Sequence, residues 1–156
     1  MKVLIVSVHP DDEVLGCGGT MMKLKAEGHD LYWLLMTDVT KAHGYNDEMV
    51  ETTRRQIEEL SQFVGFRDTF NCGYHAAHLH QVDFLDLVGD ISKVMLSVKP
   101  DWVFSVNRSD IHTDHQVAAR AVMSCSKSFR YPFIKRLSLY ECISETEIAP
   151  PLPENV

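Results

Sequence analysis

The sequence predicts an α/β protein with a three-layer, Rossmann-like fold, in which helices cover both faces of a mostly parallel five-stranded sheet. Short apolar segments of strand length alternate with longer segments of helical period along the chain. The first apolar segment, residues 3–8, is a continuous run, which is typical of a strand buried on both faces of a parallel sheet. Parallel strands joined in this way need helical crossovers, and the alternation supplies them.

Each element of this prediction has its own signal. The clearest is the third helix, in which apolar residues recur every three or four positions until Pro100. Pro10 ends the first strand because proline has no N–H to donate to a central ladder. The predicted strands are residues 3–8, 31–36, 67–71, 102–106 and 137–140, and the predicted helices are residues 14–27, 46–64, 84–98 and a fourth with an apolar face over 117–125.

Three segments of the sequence have less regular patterns. Gly16, Gly18 and Gly19 lie early in the first helix, where glycine is unfavourable, so we expect a neighbouring backbone to approach there. Residues 74–80 contain three histidines and are predicted to form a solvated loop with one or two substrate contacts. The proline-rich end, residues 150–156, belongs to no predicted element.

Two clusters of titratable residues follow the first and fourth strands. The first runs from His9 to Glu13, and the second contains His112, Asp114 and His115. The strand order 3-2-1-4-5 places the first and fourth strands side by side at the topological switch point, where open α/β sheets bind their ligands. Topology and side-chain chemistry therefore predict the same crevice.

Composition limits the classes of function. With 156 residues the chain is predicted to be a single domain, residues 1–156, and its 45% hydrophobic content excludes a disordered protein. A net charge of −7 argues against nucleic-acid binding. The four cysteines lie far apart, without a Cys-x-x-Cys pair, and are interpreted as buried thiols of a reducing compartment. No apolar run approaches membrane-spanning length, so we expect a cytoplasmic protein without a membrane partner.

His9, Asp12 and His115 are the predicted metal ligands. Two imidazole nitrogens and one carboxylate oxygen leave coordination positions open for water and substrate, as in catalytic zinc sites. The same three ligands also suit Fe(II), as in the facial triad of oxygenases. The ligand set therefore does not distinguish zinc from Fe(II) or another divalent ion.

Three further residues are predicted to carry the chemistry. Asp11 is placed to act as a general base on water, which a hydrolase needs and an oxygenase does not. His112 is a candidate for stabilising an oxyanion or protonating a leaving amine. Asp114 is interpreted as orienting a histidine by accepting its second N–H, or as the N-cap of the fourth helix, and the two roles are compatible.

The chain resembles the zinc-dependent deacetylases of the PIG-L/LmbE-like family, which act on N-acetylglucosamine-type sugars. The resemblance rests on the segment from Val6 to Gly19, on Asp110-Ile-His-Thr-Asp-His115, and on the late segment Tyr140-Glu-Cys-Ile-Ser-Glu-Thr-Glu147. It implies that His9, Asp12 and His115 bind the metal. It further implies that Asp11 is the base, that His112 stabilises the transition state, and that an N-acetylated amino sugar is the substrate.

Two departures from the family pattern accompany this resemblance. Residues 74–78 read Tyr-His-Ala-Ala-His where relatives often have a Pro-Asp-Gly-like turn. The chain also stops at Val156, where many relatives continue. Part of the substrate-binding wall is therefore expected to be absent or supplied by a partner, and assembly into a homo-oligomer is one possibility. The alternatives to a deacetylase are an Fe(II) oxygenase with the same ligands and a non-catalytic metal- or nucleotide-binding module.

Overall fold

The computed structural model of the chain describes residues 1–143 and residue 145. Five strands and four α-helices alternate along this part of the chain, together with short 3₁₀-helices at Lys41–His43 and Leu79–Gln81. The strands are β1 (Lys2–Ser7), β2 (Asp30–Asp38), β3 (Asp68–His75), β4 (Trp102–Val106) and β5 (Arg136–Tyr140). The helices are α1 (Asp12–Ala26), α2 (Asp47–Val64), α3 (Phe84–Val98) and α4 (Thr113–Ser124).

The strands form one parallel sheet in the order β3-β2-β1-β4-β5, as the sequence predicts. β1 is central and pairs with β2 on one side and β4 on the other. The chain moves outward from β1 to β3 and then returns to β4. Because parallel crossovers are right-handed, this reversal places α1 and α2 on one face of the sheet and α3 and α4 on the other.

The core lies on both faces of the three central strands. Every residue of β1 after Lys2 is buried, which explains why this strand is continuously apolar rather than alternating. Leu87, Ile91 and Met95 of α3 are fully buried, which confirms the apolar face predicted for that helix.

The histidine-rich segment after β3 is the main difference from the predicted fold. The prediction of a solvated loop over residues 74–80 is wrong for Tyr74, His75 and Leu79, because β3 continues through His75 and Leu79 is fully buried. Ala77 and His80 are exposed, and the predicted substrate contacts of this segment stay a prediction. The Tyr74 hydroxyl donates to Asp90 on α3. Tertiary contacts therefore hold a segment whose polar composition suggested exposure.

The start of α1 combines a confirmed expectation with corrected ones. A Cβ on Gly16 would collide with the ring of Tyr140 and the backbone oxygen of Glu141, so the predicted close approach occurs at Gly16. Gly19 has open space instead. The side chain of Asp11 makes no capping hydrogen bond, and α1 begins at Asp12, two residues earlier than predicted.

Parts of the late segment lie outside the described residues. These parts include Ser144, Thr146 and Glu147 of the family-like motif and the proline-rich end, residues 150–156. Among the helices that the structure describes, none has the length and apolarity needed to cross a membrane.

Candidate functional site

Two loops at the carboxyl edge of the sheet bring the predicted site residues together. The first joins β1 to α1 and carries His9, Asp11 and Asp12, and the second precedes α4. They meet in a cavity of about 220 Å³. The residues that line this cavity are His9, Asp11, Asp12, Leu15, His112, His115, Cys142, Ile143 and Glu145.

His9, Asp12 and His115 lie in mutual contact although 106 residues separate the two histidines. Nδ1 of His9 is 3.2 Å from Nε2 of His115, and the same Nε2 is 3.4 Å from Oδ1 of Asp12. Nδ1 of His9 is 3.9 Å from Oδ2 of Asp12. These three side chains form a candidate metal site of two histidines and one aspartate.

The second nitrogen of each histidine faces a buried carboxylate. Nδ1 of His115 is 2.9 Å from Asp110, and Nε2 of His9 is 3.4 Å from Asp114. A carboxylate in this position fixes the tautomer of a metal-binding histidine and increases its basicity. Each carboxylate therefore directs the opposite nitrogen of its histidine toward the cavity.

Backbone groups hold the two aspartates in place. Oδ2 of Asp12 accepts from the N–H groups of Val8 and His9, which leaves Oδ1 facing His115. Asp114 accepts from the N–H groups of Ala77 and Leu79 in the segment after β3. Asp114 thus connects β3 to the site. This contact explains why the histidine-rich segment has a defined conformation.

The charges of the site shift the pKa values of its groups in opposite directions. Burial opposes ionisation of Asp12, but His115 and the N–H of His9 lower the pKa of Asp12 overall. Burial also opposes protonation of His115, yet Asp12 and Asp110 raise its pKa to about 9. A cationic charge at this position is therefore stabilised by the surrounding carboxylates, which is also what a metal ion needs.

Asp11 and His112 lie on the cavity wall beside these groups. Loss of hydration and the charge of Asp12 raise the pKa of Asp11, which makes it a stronger base than a free aspartate. Nδ1 of His112 accepts from the N–H of Asp114, so the proton of a neutral His112 lies on Nε2. Burial and the charges of His9 and His115 lower the pKa of His112, which favours this neutral form.

The hydrogen bond from the Asp114 N–H corrects the predicted cap of α4. His112, rather than Asp114, is the N-cap, and Asp114 is the second residue of the helix. Its carboxylate points away from the helix end toward His9, Ala77 and Leu79. Of its two predicted roles, the cap of α4 is therefore wrong, and the orientation of a histidine stays a prediction.

Two donor groups within the described residues are compact enough for a metal ion. His9, His112 and His115 form one, and Asp12, His115 and Cys142 form the other, with all donor atoms of each group within 4.8 Å of one another. The predicted set of His9, Asp12 and His115 takes its members from both. Imidazole and carboxylate donors, with carboxylates behind both histidines, fit a catalytic zinc or iron site.

Sequence reasoning missed two residues of the site. Asp110 lies within the family-like motif, but only the fold reveals that it faces His115. Cys142 comes directly after Glu141 beyond β5, and no Cys-x-x-Cys spacing indicates that its sulfur lies 3.5 Å from Asp12. The useful signal was the position of both residues just beyond the carboxyl ends of strands.

A larger cavity, of about 640 Å³, lies between α2, β3 and the loop after β2. It shares no lining residue with the site, and Asp38, Lys41, Arg54 and Glu58 are its charged residues. The smaller cavity contains the clustered histidines and aspartates, and therefore it is the candidate active site.

The sequence and the fold both match known proteins. The family model described as "PIG-L: GlcNAc-PI de-N-acetylase" matches residues 4–126. The chain is 28% identical over 130 residues to the probable N-acetyl-alpha-D-glucosaminyl L-malate deacetylase 2 of Bacillus cereus, and this match covers 78% of the chain and 59% of the relative.

Two solved structures have the same fold at comparable identity. The conserved protein TT1542 from Thermus thermophilus superposes with a TM-score of 0.74 at 27% identity, over 89% of this chain and 65% of that one. The N,N'-diacetylchitobiose deacetylase of Pyrococcus horikoshii superposes with a TM-score of 0.70 at 25% identity, over 86% and 52%. The chain thus spans less than two thirds of the length of each of these three proteins.

Proposed function

Because the chain belongs to the PIG-L family of de-N-acetylases, we propose that it is a metal-dependent hydrolase of N-acetylated amino sugars. The reaction would release acetate from an N-acetylglucosamine-type sugar or its glycoside and leave a primary amine. The observation that carries this proposal is the convergence of His9, Asp12 and His115 with Asp11 in one cavity.

His9, Asp12 and His115 are the proposed ligands, with zinc as the preferred ion. When bound, such an ion supplies a Lewis acid that polarises the amide carbonyl and lowers the pKa of water. Asp110 and Asp114 would position the ligands, since each contacts the second nitrogen of one histidine. Asp114 also connects His9 to the segment after β3, so it fixes this histidine relative to two loops.

Asp11 and His112 are the proposed catalytic residues. Asp11 would accept a proton from the attacking water and return it to the nitrogen of the leaving amine, and its raised pKa suits that role. His112 would donate a hydrogen bond from Nε2 to the oxyanion of the tetrahedral intermediate, since its Nδ1 is already an acceptor. Neutral His112 performs this role without a change of protonation state.

The names of the relatives and the size of the cavity support this substrate class. Two of the compared proteins are named as deacetylases of an N-acetylglucosaminyl malate and of diacetylchitobiose. Glu145 is one of the polar residues that line the cavity, and its carboxylate could accept hydrogen bonds from sugar hydroxyl groups, while the volume of about 220 Å³ has room for an acetamido group. The aglycone would lie outside this cavity.

Acetate and amine release tests this function directly. The metal-stripped protein is loaded in turn with zinc, Fe(II) and Mn²⁺ and offered N-acetylglucosamine glycosides without oxygen. We expect anaerobic release of acetate and primary amine in equal amounts, abolished by chelation and in His115→Ala. Turnover that requires oxygen would favour the oxygenase, and stoichiometric metal without turnover on any acetylated sugar would favour a binding module.

A further inference from the structure

The thiol of Cys142 lies within the donor cluster of the candidate metal site. Its side chain is buried, with 2% of the residue exposed, and it lines the same cavity as His9 and His115. The sulfur is 3.5 Å from Oδ1 of Asp12, the oxygen that faces His115. Asp12, His115 and Cys142 also form one of the two compact donor groups of the described residues.

Three of the separations among the donor atoms of His9, His115, Asp12 and Cys142 are close to the edges of a tetrahedral zinc site. Zinc bonds of about 2.0–2.1 Å to nitrogen and oxygen and about 2.3 Å to sulfur separate neighbouring donors by about 3.3 Å, or about 3.5 Å when one is sulfur. The observed separations are 3.2 Å between His9 and His115, 3.4 Å between His115 and Asp12, and 3.5 Å between Asp12 and Cys142.

We propose that Cys142 is a fourth protein ligand, which closes the metal site formed by His9, Asp12 and His115. This inference rests on the metal site of the proposed function and adds a residue to it. On binding, the S–H bond breaks, the sulfur electron pair bonds the ion, and the proton leaves to the buffer. No oxidant or reductant is involved, and the S–H···O contact with Asp12 is replaced by two bonds to the ion.

A thiolate ligand changes both the metal preference and the state of the site. Soft sulfur donors favour zinc, cobalt and cadmium over magnesium and manganese. A fourth protein ligand also occupies the position that hydrolysis needs for water, because catalytic zinc sites keep one position open. The four-ligand site is therefore a resting form, in which water would have to displace Cys142 or bind as a fifth ligand before substrate can react.

The location of Cys142 permits such a displacement. It follows β5 at the edge of the sheet, two residues beyond the ring of Tyr140. The Glu145 N–H donates to the Cys142 carbonyl, and neither residue belongs to a strand of the described sheet. Cys142 and Glu145 both line the cavity and lie beyond β5, so withdrawing the sulfur requires no change in the sheet.

Cobalt substitution tests the ligand because Co²⁺ bound to thiolate has an intense sulfur-to-metal charge-transfer band. We expect this band in the wild-type protein at one cobalt per chain, its loss in Cys142→Ser, and its retention in Cys17→Ser, which removes another buried thiol. The dissociation constant of cobalt should rise by at least about tenfold in Cys142→Ser, because losing even a residue that only hydrogen-bonds to a metal ligand weakens metal binding by about this factor.

X-ray absorption of the zinc-loaded wild-type protein makes the test independent of any variant. One sulfur at about 2.3 Å supports the proposal. One bound metal per chain with only nitrogen and oxygen neighbours and no charge-transfer band overturns it, but leaves the proposed hydrolase intact. Failure of the wild-type protein to bind zinc or cobalt overturns both the ligand and the metal-dependent function.

Discussion

Asp11 and Asp12 are adjacent in the chain, but their carboxylates have different surroundings. Asp12 is buried and accepts two backbone N–H groups, and its pKa is lowered. The pKa of Asp11 is raised, and its carboxylate is exposed at the cavity. One residue is therefore suited to hold a cation and the other to accept a proton.

Replacing each aspartate by asparagine should separate these roles. Asp11→Asn keeps the size of the side chain but cannot accept a proton, so it should retain the metal and lose on the order of 10² to 10⁴ in kcat. Asp12→Asn should weaken metal binding, since a neutral amide oxygen is a poorer ligand than a carboxylate. Metal content by elemental analysis and kcat by acetate release check both. Nearly full activity of Asp11→Asn, or loss of metal from it, would contradict the assignment.

Glu13 is a buried acid that the proposed mechanism does not use. It is fully buried, and one oxygen accepts from Ser7, which in turn accepts from the indole N–H of Trp33. Its other oxygen has no hydrogen-bond partner among the residues that the structure describes. Burial raises the pKa of Glu13 to about 7, despite the hydrogen bond from Ser7.

This raised pKa predicts a pH dependence of stability in the metal-free protein. The folded state binds the proton more tightly than the unfolded state, so the contribution of Glu13 is complete below about pH 4.5 and declines as pH rises through about 7. The decline should be at most about 3–4 kcal/mol. Glu13→Gln should lack it, and urea unfolding of both proteins between pH 4.5 and 8 measures the difference. Parallel stability curves for the two proteins would show that Glu13 does not titrate in this range.

At the scale of elements, α1 and the segment after β5 approach each other unusually closely at Gly16. The hydroxyl of Tyr140 donates to the carbonyl of Val6 in β1, so the ring is fixed against the helix. Helix, strand end and sheet therefore meet at one point, next to Asp12 and Cys142. This contact holds the late segment against the candidate site.

Gly16→Ala should destabilise the protein, because the new methyl group would overlap the ring of Tyr140 and the backbone of Glu141. Overpacking of this kind costs about 1–3 kcal/mol. Gly19→Ala in the same helix meets no atom within 4 Å and should instead raise stability by about 0.5–1 kcal/mol. Chemical denaturation of the two variants checks the contrast. Equal effects would mean that the backbone shifts easily at Gly16.

Across the whole molecule, the candidate metal site would connect parts of the chain that are distant in sequence. The donors come from the loop after β1, the first turn of α4 and the segment after β5. Unfolding separates these donors, so an ion that binds them stabilises only the folded chain. Metal binding and global stability are consequently linked.

Zinc should therefore raise the free energy of unfolding of the whole protein. At a free concentration 100 times the dissociation constant, the expected gain is about 2.7 kcal/mol. Chelation should reverse the gain. In His115→Ala, zinc should stabilise the protein much less than in the wild type, and the loss of this zinc effect should exceed any loss of stability of the metal-free variant. Thermal unfolding with buffered zinc measures this effect. A gain that is unchanged in His115→Ala would place the bound zinc elsewhere.

The order of the sheet and the position of the candidate site could both be predicted from the amino-acid sequence. Strand-length apolar runs, helical periodicity and right-handed crossovers leave few topologies, and they place His9, Asp12 and His115 at the switch point. The pattern of apolar residues is sufficient to locate these strands, because a parallel strand that is buried on both faces must be apolar along its whole length.

The groups that surround these residues could not be predicted and became visible in the folded chain. The partners of His115 and Asp12 include Asp110 and Cys142, and Asp114 is bound to the segment after β3 rather than capping α4. These contacts depend on side-chain directions and on how far each loop returns across the edge of the sheet. This geometry depends on how the helices and strands pack against one another, so it cannot be predicted from a local sequence pattern.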